Sequence, residues 1–329
     1  MPSVVQSDPA QIQWLDFPVL TPKFSLSVVP GVAYLLVTEL IAFSVLDASF
    51  ASLPNLLNIG LQSATLVLLA LPMTLIVMSE GLDLSMGAVL GLAGVALASA
   101  LVGGSSLAAA IAAALSVGAA FGVANGLLVV VAGIPPFIAT LGTLGVAQGI
   151  AVAVTGGRSV VGIGDALPTL YASHWIGVPF SVVIATAAYL VFHVVLYHTR
   201  FGTYVFAIGG HRESLTLAGV RTNAYHIGIY ALGGTMAGVA ALILTGRMNA
   251  GHPIASIGME FDAIAAVIVG GTSFERGNGW LPGTLLGVVT IGVLKNGLNV
   301  LTVPSSLQSA SIGLLIIAAL LVDSIRGRA

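Results

Sequence analysis

The stretch LQSATLVLLALPMTLIVMS at residues 61–79 is apolar along almost its whole length and contains no charged residue. A helix needs about 20 mostly apolar residues to cross the hydrocarbon core of a bilayer, so this stretch is long enough to span one. Stretches of similar character recur from Val28 to Val322 with only short breaks. They lack the period-two alternation of a membrane β-barrel, and Ala, Leu and Gly dominate them. The chain is therefore predicted to be an all-α, polytopic membrane protein.

Composition supports a membrane protein and excludes several other classes. Hydrophobic residues make up 57% of the 329-residue chain and charged residues only 7%, whereas soluble domains carry about 25% charged residues. The chain has no cysteine, which excludes disulfides and thiol catalysis. With a net charge of −2 and no basic run, nucleic acid is not an expected partner.

About ten transmembrane segments are predicted, the eighth of them short enough to be a half-helix or a re-entrant piece. They lie near 28–46, 61–79, 84–102, 107–132, 137–154, 178–197, 224–245, 262–273, 281–303 and 307–322. This pattern divides the chain into a cytoplasmic N-terminal tail at 1–27, a transmembrane domain at 28–323 and a cytoplasmic C-terminal tail at 324–329. Membrane lipid is expected to surround the transmembrane domain.

The positive charges agree with this arrangement when both termini are placed in the cytoplasm. Seven basic residues then fall on the cytoplasmic side: Lys23, Arg200, Arg212, Arg221, Arg276, Arg326 and Arg328. Only Arg158 and Arg247 fall outside, while Lys295 lies within a segment. Losing one segment would move every later loop to the other side and remove this bias.

Strongly polar residues within or beside the apolar segments are candidates for a translocation path, because such groups are costly in lipid. They are Asp83, Asn125, Glu260, Asp262, Lys295, Asn296 and Asn299. The three acids also stand where helices are expected to begin, so N-capping is the favoured alternative for them. Lys295 is deepest in its segment, and an inward-facing role beside an acid or an amide is expected for it. Three prolines are candidate kinks or hinges: Pro72, Pro135 and Pro136.

The two halves of the chain share a weak pattern in the same order. An acidic pair, an Asn-Gly-Leu step and a proline occur at Glu80/Asp83, 125–127 and Pro135, and again at Glu260/Asp262, 296–298 and Pro304. The predicted topology puts the first acidic pair at the cytoplasmic side and the second outside. An inverted repeat, which many transporters contain, would have this property, although a chance match is the competing explanation.

A cytoplasmic loop near 198–223 contains the string GGHRESLTLAGV at 209–220. A short polar helix is predicted after Gly209 and Gly210, with Arg212 and Glu213 on one side. Such a helix in the cytoplasm would suit the docking of a partner protein. An ordinary solvated connector is the alternative.

Enzyme motifs are missing from the sequence. Neither of the two lysines, Lys23 and Lys295, lies in a phosphate-binding P-loop, so ATP would have to be bound by another chain. The histidines are scattered without metal-ligand spacing, and no metal site or catalytic residue is predicted.

Four long strings resemble the ribose-type sugar permeases of bacterial ABC importers. They are GLDLSMGAVLGLAG (81–94), NGLLVVVAGIPPFIATLGTLGVAQGIA (125–151), DAIAAVIVGGTSFERGNGWLPGTLLG (262–287) and KNGLNVL (295–301). The resemblance runs in order from about Asn55 to Asp323, nearly the whole chain. The strings agree at the right spacing, which makes the combination specific.

The resemblance implies a fold of about ten helices in the bacterial inner membrane and import of a monosaccharide or polyol, with a pentose favoured. It implies three protein partners: a second permease copy or a paralogue, cytoplasmic ATPase subunits that bind ATP and Mg²⁺, and a periplasmic or extracellular sugar-binding protein. The family's coupling element maps onto Gly210, Glu213, Leu217 and Gly219. Where the family usually has two Ala and an Arg, this chain has Ser214, Leu215 and Thr216, which puts one charge contact with the ATPase in doubt.

Two other classes fit parts of the pattern. A secondary transporter driven by an ion gradient is compatible with the hydropathy, the inverted pattern and Lys295. A membrane enzyme would need paired catalytic groups at one depth, and the predicted topology separates Asp83 from Asp262.

Overall fold

The computed structural model describes residues 29–273 and 277–327. Within these ranges the chain forms helices and one short antiparallel hairpin. The helices are α1 Val29–Leu46, α2 Leu53–Met78, α3 Met86–Val102, α4 Leu107–Val130, α5 Pro136–Thr155, α6 Ala166–Ala172, α7 Phe180–His198, α8 Arg200–Leu217, α9 Thr222–Met248, α10 Met259–Val269, α11 Leu281–Val300 and α12 Ser305–Gly327. The hairpin pairs β1 His174–Trp175 with β2 Val178–Pro179.

The prediction of an all-α polytopic protein is confirmed, because each predicted segment corresponds to a helix. By length and composition, α2, α4, α5, α7, α9 and α11 are each able to cross a membrane. Helices α1, α3 and α12 contain shorter apolar stretches, and α10 is an 11-residue helix. The count of ten spans and the cytoplasmic position of both termini stay predictions, and the proposed tail at 1–27 lies outside the described residues.

The largest differences between predicted and observed boundaries are at the start of α2 and the end of α12. Helix α2 begins at Leu53 rather than near 61, because Pro54 occupies the first turn, where its missing N–H is not needed. The Asn55 side chain, in the first turn of α2, donates to the Phe50 carbonyl and to Asn296 Oδ1, both at 2.8 Å. Helix α12 continues to Gly327, past the predicted end of the transmembrane domain at 323.

Helix α2 is the centre of the bundle. Its second half, Leu68–Met78, is buried throughout, and it contacts α7, α9, α10 and α11. A helix that is apolar on every side is stable only when other helices surround it or lipid does. Here protein surrounds it, so its second half has no lipid-facing side.

Helices α4 and α9 approach each other closely through glycine. A Cβ on Gly122 would collide with the Tyr230 carbonyl oxygen, and one on Gly234 would collide with the Gly118 carbonyl oxygen. Glycine at these positions allows the two backbones to touch, as in other membrane-helix pairs. The small-residue spacing of both helices therefore serves packing.

Two non-helical segments re-enter the bundle. Residues 79–85 connect α2 to α3, and Ser79, Asp83 and Ser85 in this segment are each about 1% exposed. Residues 249–258 connect α9 to α10 and run along α3 from its end toward its start. The glycine contacts that trace this path are Gly251 with Ala98, Gly91 with Pro253, and Gly87 with Ser256.

As a result, α3 and α10 both begin inside the bundle. Gly233, near the middle of α9, packs against Asp83 just before α3. A Cβ on Gly87, in the first turn of α3, would collide with the Glu260 carboxylate in the first turn of α10. Helix α10 then ends where Gly270 meets Gly283 at the start of α11. The prediction that Asp83 and Glu260 lie on opposite sides is therefore wrong, because the helices that follow them begin at a shared depth.

The bundle has two ends that the contacts distinguish. At the α8 end, Gly209 packs against Met78, the last residue of α2, and against Gly277. At the α6 end, Gly246 packs against Leu167 and Tyr171. Helix α9 runs from the α8 end, where it begins at Thr222, to the α6 end.

Candidate translocation and coupling sites

A buried hydrogen-bond network surrounds Asp83. Its Oδ1 accepts from the Ser85 amide at 2.8 Å and from the Ser85 hydroxyl at 2.6 Å. Asn125 Nδ2 of α4 donates to Ser85 Oγ at 2.8 Å, and the Thr143 hydroxyl of α5 donates to Asn125 Oδ1 at 2.6 Å. These bonds satisfy the polar groups of the re-entrant segment 79–85, which lipid cannot do. Asp83 and Asn125 thus belong to one network.

The N-cap prediction for Asp83 is wrong. The N-cap of α3 is Ser85, whose side chain makes no capping bond. Asp83 instead accepts from the backbone two residues ahead, which closes a local turn of the Asx type. The side chain thus shapes the segment that leads into α3.

The acids of α10 have separate roles. The Gly258 amide is 3.1 Å from both carboxylate oxygens of Glu260, but Gly258 is itself the N-cap residue of α10, so the N-cap prediction is wrong for Glu260. Asp262 lies beyond the cap, within the helix, and the N-cap prediction is wrong for it. Its carboxylate pairs with the ammonium group of Lys295 on α11.

The Lys295–Asp262 ion pair links the first turn of α10 to the second half of α11. The Asp262 side chain is 9% exposed and the Lys295 side chain 38% exposed. An ion pair this far inside the bundle reduces the cost of holding either charge there. The acid or amide expected beside Lys295 is therefore Asp262.

The two asparagines that follow Lys295, Asn296 and Asn299, differ in their exposure. Asn296 is 2% exposed and accepts from Asn55 Nδ2 at 2.8 Å, which fastens α11 to the first turn of α2. Asn299 is exposed, four residues after Lys295 on the same helix. Its place in a translocation path stays a prediction.

The three candidate hinge prolines lie in different contexts. Pro72 is buried inside α2. Pro135 is the N-cap residue of α5 and Pro136 is its first residue. A proline in that first turn initiates a helix and does not kink one, so the kink prediction is wrong for Pro135 and Pro136.

A cavity of about 330 Å³ adjoins the ion pair. Its polar lining groups are Gln62, Ser63, Arg247, Asp262 and Lys295. Sequence reasoning missed Gln62 and Ser63 because single polar residues in an apolar helix carry little signal. It also missed Glu39, an acid within the first apolar segment that is only 9% exposed.

The predicted coupling loop is a helix over most of its length. Helix α8 begins at Arg200, and the Thr199 hydroxyl caps it by accepting from the Gly202 amide at 3.4 Å. The prediction that a short helix starts only after Gly209 and Gly210 is therefore wrong. Both glycines lie within α8, where Gly209 is buried against Met78 and Gly210 is exposed.

The second half of α8 is exposed at the α8 end of the bundle. Glu213 is exposed, and Leu217 is 89% exposed. Arg212 Nη2 donates to Asn223 Oδ1 of α9 at 3.2 Å. Gly219 has a φ of +82°, and the bonds from the Val220 amide to the Leu215 carbonyl and from the Gly219 amide to the Thr216 carbonyl end the helix in a Schellman motif.

An open groove lies next to this exposed helix end. It has a volume of about 550 Å³. Its lining residues come from the start of α8, the α8–α9 turn and the start of α9: Phe201, Tyr204, Ala218, Gly219, Val220, Arg221, Ala224 and Tyr225. The Tyr204 and Tyr225 rings are 4.8 Å apart between centroids. An exposed leucine beside an aromatic groove is a surface that suits protein contact.

Comparison with known proteins connects these features to a family. The family model described as the branched-chain amino acid transport system permease component matches residues 55–320. The ribose import permease protein of Bacillus subtilis (strain 168) is 37% identical over 285 residues, which cover 86% of this chain and 88% of that protein. The ribose import permease protein of Escherichia coli (strain K12) is 37% identical over 287 residues, 85% of this chain and 89% of that protein.

A relative named for another sugar is also similar. The D-allose transport system permease protein of Escherichia coli (strain K12) is 34% identical over 275 residues, 83% of this chain and 84% of that protein. No solved structure is a significant match. The four quoted strings all lie within the span of the family match. The chain therefore belongs to this permease family, and within it to the ribose-type sugar permeases of ABC transporters.

Proposed function

We propose that the chain is the membrane-spanning subunit of an importer that takes up a monosaccharide or a related polyol, with a pentose favoured, in the bacterial inner membrane. ATP hydrolysis in partner subunits, which hold the ATP and Mg²⁺, drives the import. The observation that carries the proposal is the exposed half of α8, with Leu217 89% exposed beside an aromatic groove. It is the part of the chain on which an ATPase subunit would act.

The proposal includes three protein partners. A sugar-binding protein delivers the solute at the α6 end, which faces the periplasm or the cell exterior. The ATPase subunits dock at the α8 end, in the cytoplasm. A second permease copy, identical or paralogous, completes the transmembrane unit, and apolar side chains exposed on the bundle face it or the lipid. Exposed residues such as Phe137, Ile138 and Val146 on α5 support a partner-facing or lipid-facing surface.

Alternating access requires a mechanical link from α8 to the interior. Gly209 of α8 packs directly on Met78, where α2 ends and the re-entrant segment 79–85 begins. Movement of α8 therefore acts on the segment that carries Asp83. The discontinuous helices α3 and α10 meet at that depth, and broken helices of this kind line substrate paths in other transporters.

An ion-gradient-driven secondary transporter is the second candidate. The buried acids Asp83 and Glu260, without a cation partner among the described residues, favour it, because proton or sodium pathways use such groups. This candidate needs no ATPase. It predicts uptake by the chain alone, abolished when the gradient is collapsed.

Gentle extraction of the tagged chain from its native membrane separates the two candidates. An ATPase subunit recovered at near-equal amount supports the ABC importer. Recovery of the chain alone, followed by gradient-driven sugar uptake in liposomes, would favour the secondary transporter. The sugar-binding protein of the same system is then screened by thermal shift with pentoses, hexoses and polyols to identify the substrate.

The docking role of α8 is tested with Glu213→Ala. We expect this variant to insert normally but to retain the ATPase several-fold less well in detergent, since Glu213 is exposed and free to contact a partner. Asp165→Ala is the matched control, because Asp165 is an exposed acid at the opposite, α6 end. Equal ATPase retention by both variants would contradict a role for Glu213.

A further inference from the structure

The cavity beside the Lys295–Asp262 pair lies between α2, α9, α10 and α11. Two of its lining residues, Arg247 and Met248, are the last residues of α9, which ends at the α6 end of the bundle. The cavity therefore reaches inward from the side on which the binding protein would deliver solute. The opposite end of the bundle, where α8 lies, contributes no lining residue.

The polar groups of the cavity converge and include both donors and acceptors. Arg247 and Lys295 donate, the Asp262 carboxylate accepts, and the Gln62 amide does both. Ser63 is 7% exposed, and its hydroxyl has no hydrogen-bond partner. The Ser63 oxygen is almost fully covered and lies against Gly292 of α11, so a solute hydroxyl reaches it after a small shift of this contact, and the pairing then satisfies the hydroxyl.

The size and charge of the cavity restrict the ligand. A volume of about 330 Å³ is at the lower end of the range of about 300–1,000 Å³ for small-molecule sites, which suits a single sugar ring. The two cations of the lining, Arg247 and Lys295, are matched in number by Asp262 in the lining and by the buried Glu260 two residues from it. An anionic solute would gain little here, whereas a neutral molecule with several hydroxyl groups matches the mixed donors and acceptors.

We propose that this cavity is a solute-binding site within the permease itself, which holds one neutral, monosaccharide-sized polyhydroxyl molecule between Gln62, Ser63, Arg247 and Asp262. The assignment rests on the proposed function and adds a place where the permease contacts the solute directly. A hydroxyl that bonds to Asp262 shares the carboxylate with Lys295. Solute in the cavity thereby acts on the contact between α10 and α11.

The test measures solute binding by the complete permease–ATPase complex in nanodiscs without the sugar-binding protein. Saturation-transfer NMR with D-ribose, D-allose and L-arabinose at millimolar concentration is expected to show transfer from protein to at least one sugar. Gln62→Leu, Ser63→Ala and the double variant Asp262→Asn/Lys295→Met are each expected to reduce that transfer at least fivefold. Thr290→Val is the matched control, because the Thr290 hydroxyl donates only to its own helix, at the Leu286 carbonyl.

Separate measurements keep the two proposals distinguishable. Binding-protein-dependent uptake and ATPase activity of the same preparation report on the proposed function. If uptake is intact but the wild-type complex shows no saturation transfer, or if all three variants match Thr290→Val, the cavity site is overturned while the importer assignment stands. Stronger binding of ribose 5-phosphate than of ribose would also overturn it, because the site is assigned to a neutral solute.

Discussion

At the scale of single residues, Lys295 and Asp262 show how a charged group is accommodated inside this bundle. Each charge would be costly alone, and their pairing across α10 and α11 offsets part of that cost. The two partners are unequal, since Asp262 is 9% exposed while Lys295 is 38% exposed and faces the cavity. Removing the lysine therefore leaves the more buried charge, that of Asp262, without its cation.

Neutralising one partner at a time is expected to destabilise the protein more than neutralising both. Lys295→Met leaves Asp262 without its cation and is expected to lower stability by about 1–2 kcal/mol, a buried-pair value reduced for the exposure of Lys295. Asp262→Asn is expected to cost less. Thermal unfolding in detergent measures the effect as a lower Tm. A double variant whose Tm falls by the full sum of the single losses would contradict direct coupling between the two groups.

Individual polar residues differed in how far the sequence predicted their roles. Lys295 stood out because a cation in an apolar stretch has few explanations. The sequence did not identify Asp262 as its partner, because Asp262 also stands where a helix cap is expected. In the structure α10 begins earlier, at Met259, directly after the re-entrant segment 249–258. Asn296 and Asn299 were indistinguishable, since their different exposure depends on where α2 packs.

At the scale of elements, the contact between α4 and α9 determines how the two halves of the chain join. Gly122→Ala places a methyl group against the Tyr230 carbonyl, and the backbone there cannot yield as a flexible side chain would. We expect a loss of about 1–3 kcal/mol, the usual cost of overpacking, and a lower Tm in detergent.

The control for this contact is Gly145→Ala on α5. A Cβ on Gly145 meets no atom within 4 Å, so the free chain is expected to tolerate it with an unchanged Tm. Equal losses for both variants would contradict a specific role for the Gly122 contact, because the effect of a glycine-to-alanine change on the unfolded chain is by itself stabilising.

The sequence predicted the helices whose position depends on hydropathy alone. It did not predict helix starts that depend on a capping side chain or on a re-entrant segment. The short eighth segment was correctly recognised as unusual, and α10 has 11 residues. The start of α8 was missed because Gly209 and Gly210 suggest a break, whereas Thr199 caps a helix that continues through both. Packing of Gly209 on Met78 is a tertiary contact, which sequence periodicity does not encode.

At the scale of the whole molecule, the orientation in the membrane links all of the proposals. The coupling role needs the α8 end in the cytoplasm, and delivery of solute to the cavity needs the α6 end outside. The excess of positive charge at the predicted cytoplasmic loops, including Arg212 and Arg221, supports this orientation. The shared depth at which α3 and α10 begin is compatible with either orientation, so a direct measurement is required.

Absence of cysteine makes the chain suitable for that measurement, because each introduced thiol is the only one present. Ile176 forms the tip of the β1–β2 hairpin at the α6 end and is 104% exposed, while Arg212 is exposed on α8. The test uses intact cells whose outer membrane or cell wall admits the reagent. A maleimide that cannot cross the inner membrane is expected to label Ile176→Cys fully before lysis and Arg212→Cys only after lysis. The reverse pattern would place α8 outside, away from ATP, and would overturn the importer assignment together with the docking role of Glu213. Labelling of both sites before lysis would mean that the two ends share one side, which the path of α9 through the bundle forbids.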